Sequence, residues 1–305
     1  MPKFPVSFSI ARRALLALTA LAAVSMGLVQ ASQAAPSAEL WARWSTHDAN
    51  AQTTIDHRAW DRFLKRYVTE RPGRANLVAY GKVSRADARA LQGYIDGLAA
   101  LPISTYNRPE QFAYWINLYN ALTVNVVLDH YPVKGIRDID ISPGWFADGP
   151  WGKKLVTIEG EDVSLDDIEH RILRPIWQDP RIHYAVNCAS IGCPDLVKQA
   201  VTADNAEAYL TAGARNYVND PRGAQIRGGK LYVSSIYNWF EEDFAVDGGV
   251  VAHLKKYANP DLASYLAQID EVSGDGYDWA LNDAAPARTV RSNSGTGRTF
   301  SGGGS

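Results

Sequence analysis

The sequence predicts a single α+β domain that is mostly helical and holds a small β-sheet. Apolar residues recur at helical spacing through most of the chain, whereas the candidate strands are few and short. Residues 112–128 form the most apolar stretch outside the first 35 residues and predict a central buried helix. No internal repeat is present. We therefore expect one domain over residues 36–283.

Both ends of the chain are expected to lie outside this domain. Residues 1–35 begin with basic residues, continue through an Ala-rich apolar run and end in small residues, which is typical of a secretory signal peptide. Polar residues interrupt that run, so we expect no stable membrane insertion after cleavage. Residues 284–305 are rich in Ser, Gly, Arg and Thr and predict a disordered tail. This pattern indicates a periplasmic or secreted protein.

The charge balance excludes some classes of partner. The chain carries 31 Lys and Arg against 33 Asp and Glu, with both signs interspersed. Nothing in this balance points to nucleic acid or to a membrane surface, so we expect neither as a partner and leave a substrate or an envelope partner open. Nine tryptophans and fifteen tyrosines suit either a packed core or a groove lined with aromatic rings.

Three helices have clear starting signals. Ser84 is a predicted N-cap for a helix to Ala100, Asn107 with a following proline begins the central helix, and Ser164 begins a short helix to Leu173. Apolar spacing alone predicts further helices over residues 39–44, 57–69, 202–218, 235–244, 250–257 and 262–269. Extended segments are predicted over residues 77–81, 154–159 and 277–281, with a hairpin over residues 225–233.

Two asparagines lie within the central helix. Asn117 and Asn120 are three residues apart and share a face of the helix. Buried amides need hydrogen-bond partners. They either tie the helix to loop backbone, or line a pocket and orient a catalytic group.

An aromatic loop follows the central helix. Residues 143–152 place Trp145, Phe146 and Trp151 among glycines and prolines. Such a loop either contacts a substrate or covers the edge of the core.

Residues 181–196 hold both cysteines of the chain and one of its six histidines. The alternating residues 181–187 predict a strand, so Cys188 is expected where that strand ends. Pro194 and an acidic residue follow Cys193, which predicts a helix start beside this thiol. A strand, a tight loop and a helix start with two thiols form a candidate site.

The two thiols admit more than one role. In an oxidising compartment a Cys188–Cys193 disulfide is the default expectation. Alternatively, Cys188 or Cys193 is a nucleophile, activated by a helix start or by a histidine base, either His170 or His183. Glu169 neighbours His170 but diverges from it by roughly 100° on an α-helix. The cysteine spacing fits no zinc finger, no G-x-S-x-G occurs, and no metal or cofactor is indicated.

Four blocks in the right order resemble the DUF547 family, a bacterial and plant domain of unknown function. They are residues 112–122, 164–174, 179–194 and 277–282, within a resemblance that runs from about Trp60 to Asn282. The family blocks include Asn117, Asn120, Glu169, His170, Arg174, His183, Cys188 and Cys193. The resemblance implies a shared site at these positions without assigning it an activity.

Two functional hypotheses follow. One is thiol-dependent acyl chemistry, meaning hydrolysis or transfer of an amide or ester, by Cys188 or Cys193 with His170 or His183 as the base. The other is a non-catalytic envelope-binding module, in which the two cysteines form a disulfide and the aromatic loop contacts a partner.

Overall fold

The computed structural model describes Met1, residues 36–144 and residues 148–284. From Pro36 onward the described residues belong to one compact unit. They are mostly helical with short strands in small sheets, which confirms the predicted α+β class. Apart from Met1 and Ala284, the predicted signal peptide and tail lie outside the described residues, as does Trp145. No helix of the described ranges is long and apolar enough to span a membrane.

Helix α3 is the centre of the domain. The α-helices are α1 (Arg58–Tyr67), α2 (Arg85–Ala99), α3 (Arg108–His130), α4 (Arg174–Trp177), α5 (Ala206–Val218), α6 (Ser235–Trp239), α7 (Val250–Tyr257) and α8 (Pro260–Leu266). The Asn107 side chain accepts a hydrogen bond from the backbone N–H of Glu110, so α3 begins with the predicted cap. Helices α2 and α5 pack against α3, whose residues are buried almost all round.

The strands are short and lie at the surface of the helical core. They are β1 (Val68–Thr69), β2 (Leu77–Val78), β3 (Val156–Ile158), β4 (Glu161–Val163), β5 (Ala224–Arg227), β6 (Lys230–Ser234) and β7 (Gly274–Gly276). β1 and β2 form one antiparallel pair, β3 and β4 form another, and β5, β6 and β7 form a three-stranded sheet. The predicted hairpin is confirmed, because β5 and β6 pair around Gly228 and Gly229, whose φ angles are positive.

The predicted strand over residues 181–187 is wrong. Residues Pro180–Tyr184 form a 3₁₀-helix, whose first turn is capped when the Asp179 carboxylate accepts a hydrogen bond from the N–H of Arg181 at 2.9 Å. A short apolar run fits a strand and a buried helical turn equally well, so the local cap and the tertiary contacts decided between them.

The predicted helix start at Cys193 and Pro194 is also wrong, because the next helix, α5, begins at Ala206. The Asp195 carboxylate, which was expected to stabilise a first turn, instead accepts hydrogen bonds from the N–H of Asn76 at 2.9 Å and from Arg222 at 3.0 Å. The tertiary contacts of Asp195 therefore outweigh the local signal for a helix start.

The short helix after Ser164 has an unusual winding. Residues Asp167–Leu173 form a π-helix that continues directly into α4. The Ser164 hydroxyl accepts a hydrogen bond from the N–H of Asp167 at 3.2 Å, so the predicted cap is present. The backbone N–H of Arg174 donates to the carbonyl of Glu169, the i to i+5 hydrogen bond of a π-helix, so these two residues lie near one face.

Candidate functional site

The two cysteines lie in contact within a tight loop, residues 187–193, called here the thiol loop. Both are free thiols, and their sulfur atoms are 2.6 Å apart. The Cys188 sulfur also contacts the hydroxyls of Ser190 at 3.2 Å and Tyr277 at 3.0 Å. The Cys193 sulfur accepts a hydrogen bond from the backbone N–H of Cys188. Cys188 is half-buried, whereas Cys193 is 4% exposed.

The two thiols have opposite pKa shifts. Burial alone would raise the pKa of Cys188, but contacts with Cys193, Ser190 and Tyr277 stabilise its thiolate and lower that pKa below its ordinary value. Burial, together with the neighbouring Cys188, raises the pKa of Cys193 well above its ordinary value. Cys188 is therefore the more acidic thiol of the pair.

The thiol loop is fixed to helix α3 by an amide chain. The Asn120 side chain donates a hydrogen bond to the carbonyl of Ala185 and accepts one from the N–H of Asn187, both at 2.8 Å. Asn187 in turn donates to the carbonyl of Pro194 and accepts from the N–H of Ala189. Ala189 has a φ of +60°, a conformation that costs a non-glycine residue about 1 kcal/mol or more. These hydrogen bonds hold that strained backbone beside Cys188.

The other predicted asparagine has a related role farther along the chain. Asn117 donates to the carbonyl of Val201 at 2.7 Å and accepts from the N–H of the same residue at 3.0 Å. Both asparagines thus tie α3 to loop backbone, and Asn120 does so directly before the reactive thiol.

The C-terminal segment, residues 277–283, packs along the thiol loop. The N–H groups of Ile191 and Gly192 donate to the carbonyls of Ala280 and Asp278, both at 2.8 Å. A Cβ atom on Gly192 would lie 2.8 Å from the backbone nitrogen of Asp278, so only glycine allows this approach. The contact brings the Tyr277 hydroxyl onto the Cys188 sulfur.

The predicted imidazoles belong to a group of titratable side chains, called here the charged network: the buried Glu169, His170, Arg174 and His183, and the half-buried Asp243. His183 Nε2 is 2.7 Å from Asp243 Oδ2, and His183 Nδ1 is 3.5 Å from Glu169 Oε1. Arg174 donates to both carboxylate oxygens of Asp243, at 2.6 and 3.1 Å. The Arg174 guanidinium is also 3.2 Å from His170 Nδ1.

The two histidines of the charged network have opposite pKa shifts. Burial is the largest cause that lowers the pKa of His170 to about 4; the charge of Glu169 opposes this shift, and that of Arg174 adds to it. Burial also acts against the charged form of His183, but its contacts with Asp243 and Glu169 raise its pKa overall. Burial raises the pKa of Asp166, 3.7 Å from His170, to about 7, and the charge of Glu169 adds to this shift.

Tyr119 connects the charged network to the thiols. Burial raises the pKa of Tyr119, and so do the charges of Glu169, Cys188 and Cys193, while Glu169 accepts its hydrogen bond. Within the described part of the chain, no hydrogen bond joins an imidazole to either sulfur. His170 and His183 instead pair with carboxylates and an arginine.

Trp145 and Trp151 were the predicted binding residues of the aromatic loop. The structure describes the second of these, and Trp151 packs against the C-terminal segment. Its ring centroid is 5.7 Å from that of Trp279. Among the described residues, no group of three or more His, Cys, Asp and Glu side chains is arranged to hold a metal ion.

Comparison with known families gives one match, over the middle of the chain. Residues 103–218 match the family model described as "Protein of unknown function, DUF547". This match confirms, over that segment, the resemblance to the DUF547 family. No curated protein and no solved structure matches the chain significantly. The DUF547 match includes both cysteines, Asn117, Asn120, Trp151 and four of the five residues of the charged network.

Several important residues of the site were not predicted, and some lie beyond the DUF547 match. Tyr277 stands in the closing block of the resemblance, so that block was a signal for it. Asp243 follows α6 within a 3₁₀-helix, Glu241–Asp247, and carries no local signal. Arg222 donates to the carbonyls of Ile191 and Cys193 from a turn far along the chain. Tyr119 and Ser190 lie within the blocks that resemble the DUF547 family, but they were not predicted as site residues.

Proposed function

We propose that the protein is a thiol–disulfide oxidoreductase in which Cys188 is the nucleophile and Cys193 is the resolving thiol. The observation that carries this proposal is the contact of two free thiols, 2.6 Å apart, with opposite pKa shifts. A half-buried thiol of lowered pKa attacks, and a buried partner within bonding reach completes the exchange. The predicted signal peptide would deliver this activity to the periplasm or outside the cell.

The reaction consists of two exchanges. The Cys188 thiolate attacks one sulfur of a substrate disulfide, forms a mixed disulfide and releases the other substrate sulfur as a thiolate, which takes up a proton. Cys193 then loses its proton and attacks the Cys188 sulfur, which releases the second substrate thiol. The substrate gains two electrons, the protein becomes the Cys188–Cys193 disulfide, and a dithiol reductant regenerates it.

The raised pKa of Cys193 suits the resolving role. Burial is its largest cause, but the hydrogen bond and the charge of Cys188 also contribute. When Cys188 enters a mixed disulfide its negative charge disappears. The pKa of Cys193 then falls, so that the resolving thiolate forms only after the first exchange.

Acyl transfer to Cys188 is the second candidate, because the same lowered pKa serves a nucleophile that attacks an amide or ester. It is less favoured, since the imidazoles that would act as the base are hydrogen-bonded to other groups. A binding module with a permanent disulfide is the remaining alternative. In that case the protein would bind its partner only in the form that contains the Cys188–Cys193 disulfide.

The test is to trap the mixed disulfide. Cys193→Ser should accumulate a mixed disulfide at Cys188 with a peptide disulfide, whereas the wild type should form the internal disulfide, as read by intact and peptide mass spectrometry. Cys188→Ser is the matched control and should form neither. Absence of an adduct on Cys193→Ser would refute the proposal, and a thioester at Cys188 after incubation with an activated ester would favour acyl transfer instead.

A further inference from the structure

Four aromatic rings form a continuous surface beside the reactive thiol. This aromatic patch consists of Trp151, Trp239, Tyr277 and Trp279. The Tyr277 ring centroid is 4.6 Å from that of Trp279 and 4.9 Å from that of Trp239. Trp239 and Trp279 are 5.5 Å apart, and Trp151 contacts Trp279 from the other side. The patch begins at Cys188, because the Tyr277 hydroxyl contacts that sulfur at 3.0 Å.

The rings of the aromatic patch are more exposed to solvent than the tryptophans of the core. All four of its rings are half-buried, whereas Trp44, Trp60 and Trp115 are at most 2% exposed. Contiguous accessible apolar surface of this kind is typical of an interaction site. Three separate segments of the chain supply these rings, and the Arg137 guanidinium lies 5.3 Å from the Trp279 ring.

The ring orientations favour apolar side chains over sugars as ligands. Three ring pairs of the patch are steeply inclined: Trp239 and Tyr277 by 53°, Tyr277 and Trp279 by 54°, and Trp151 and Trp279 by 69°. Trp239 and Trp279 lie closer to parallel, at 27°. Tilted rings present edges and faces that enclose an aliphatic or aromatic side chain, whereas a sugar ring stacks on one flat platform. A substrate sulfur that bonds Cys188 comes close to Tyr277, because the Tyr277 hydroxyl contacts the Cys188 sulfur.

We propose that the aromatic patch binds an extended polypeptide segment whose apolar residues flank the cysteine that reacts with Cys188. This inference rests on the proposed function and names its substrate class, which is exposed apolar protein segments that contain a disulfide. Tyr277 joins the two parts of the site, since its ring belongs to the patch and its hydroxyl contacts the nucleophile.

The test measures binding without chemistry. The probe is a fluorescent decapeptide with Leu and Phe on both sides of a serine that replaces the cysteine, titrated by anisotropy. Trp239→Ala and Trp279→Ala should each weaken its affinity at least tenfold, about 1.4 kcal/mol. Trp279→Phe should recover most of the affinity, because it keeps a ring. Tyr265→Ala, which removes a ring that is 56% exposed, is the matched control and should bind as the wild type does.

The possible results separate the two proposals. Unchanged peptide affinity in both tryptophan variants, or no binding by the wild type, would overturn the inference. So would a loss of affinity for a β-linked hexasaccharide without a loss for the peptide. Peptide binding that depends on both tryptophans, with no trapped mixed disulfide on Cys193→Ser, would support the patch and refute the oxidoreductase reaction alone.

Discussion

The reactivity of Cys188 depends on a few short contacts. Burial favours the neutral thiol, so the hydrogen bonds from its neighbours must outweigh desolvation for the thiolate to form. Tyr277 is the donor that comes from outside the thiol loop, and Ser190 lies 2.8 Å from the same hydroxyl. A sulfur held by two hydroxyls and a second thiol is more acidic than its burial alone predicts.

Tyr277→Phe should therefore raise the pKa of Cys188. A hydrogen bond to a charged group contributes about 1.5 kcal/mol, which corresponds to about one pKa unit. The pH dependence of iodoacetamide alkylation at Cys188 measures this change, and Tyr265→Phe, on the exposed surface, is the control. An unchanged midpoint in Tyr277→Phe would show that the hydroxyl does not stabilise the thiolate.

Residues of the site differ in how far the sequence could predict them. The cysteines, the two asparagines and the Glu169–His170–Arg174 series were found because they lie within compact motifs. The pairing of His183 with Asp243 depends on two segments that lie 60 residues apart, so no local pattern contains it. The expectation that an imidazole would serve a thiol came from residue types, which do not specify where a ring points.

At the scale of elements, the π-helix organises the charged network. Arg174, whose side chain is 2% exposed, is bound on several sides: it donates to Asp243, to Glu242 and to the carbonyl of Pro36. Its guanidinium also lies 4.8 Å from the Phe240 ring centroid. A buried ion group of this kind is costly to leave incomplete.

Arg174→Met should lower the free energy of unfolding by about 3–5 kcal/mol, because it leaves the buried carboxylates with too little positive charge. Arg66→Met is the matched control. That side chain is 66% exposed, so its replacement should change stability by no more than about 0.5 kcal/mol. Urea unfolding monitored by circular dichroism measures both. Equal effects from the two substitutions would mean that the network is not buried as described.

Elements with strong local signals were predicted well, and those decided by tertiary contacts were not. Helix α7 was predicted at its observed limits, and α2 within one residue. The caps of α2 and α3 formed as expected because Ser84 and Asn107 accept the hydrogen bonds of their first turns. By contrast, the Asp195 carboxylate accepts hydrogen bonds from the N–H of Asn76 and from Arg222, and the helix expected after Cys193 did not form.

At the scale of the whole molecule, one large core and a smaller cluster surround the site. The smaller cluster contains Tyr184, Tyr217 and Tyr237, while α3 lies in the larger one. The fully buried His253 packs against the rings of Tyr184 and Tyr237. Packing of this extent explains why the apolar pattern alone predicted the fold class. It also buries titratable groups far from the thiols, and these make stability depend on pH.

His57 is such a group. It is 4% exposed, its Nδ1 is 2.7 Å from the Tyr94 hydroxyl, and its Nε2 has no hydrogen-bond partner among the residues that the structure describes. Burial lowers the pKa of His57 from 6.5 to about 4. Because the folded-state pKa is the lower one, the unfolded chain binds the proton first as the pH falls. The stabilising contribution is complete above pH 6.5 and is lost as the pH falls towards 4.

Between pH 7 and pH 4.5 the wild type should therefore lose about 2–3 kcal/mol more stability than His57→Leu does. Urea unfolding at the two pH values measures the difference. His130→Leu, at an exposed position, should behave as the wild type. A pH dependence that is the same in all three proteins would contradict this account of His57.

The central claim is that Cys188 is the acidic, reactive thiol and Cys193 its buried partner. The most direct measurement is the rate of iodoacetamide alkylation at each cysteine of the reduced protein across pH 5–10, read by peptide mass spectrometry. We predict that Cys188 reacts first, with a midpoint below the ordinary thiol value of about 8.5, and that Cys193 stays largely unmodified at that pH. Equal rates at the two cysteines, with a common midpoint at or above 8.5, would contradict the claim.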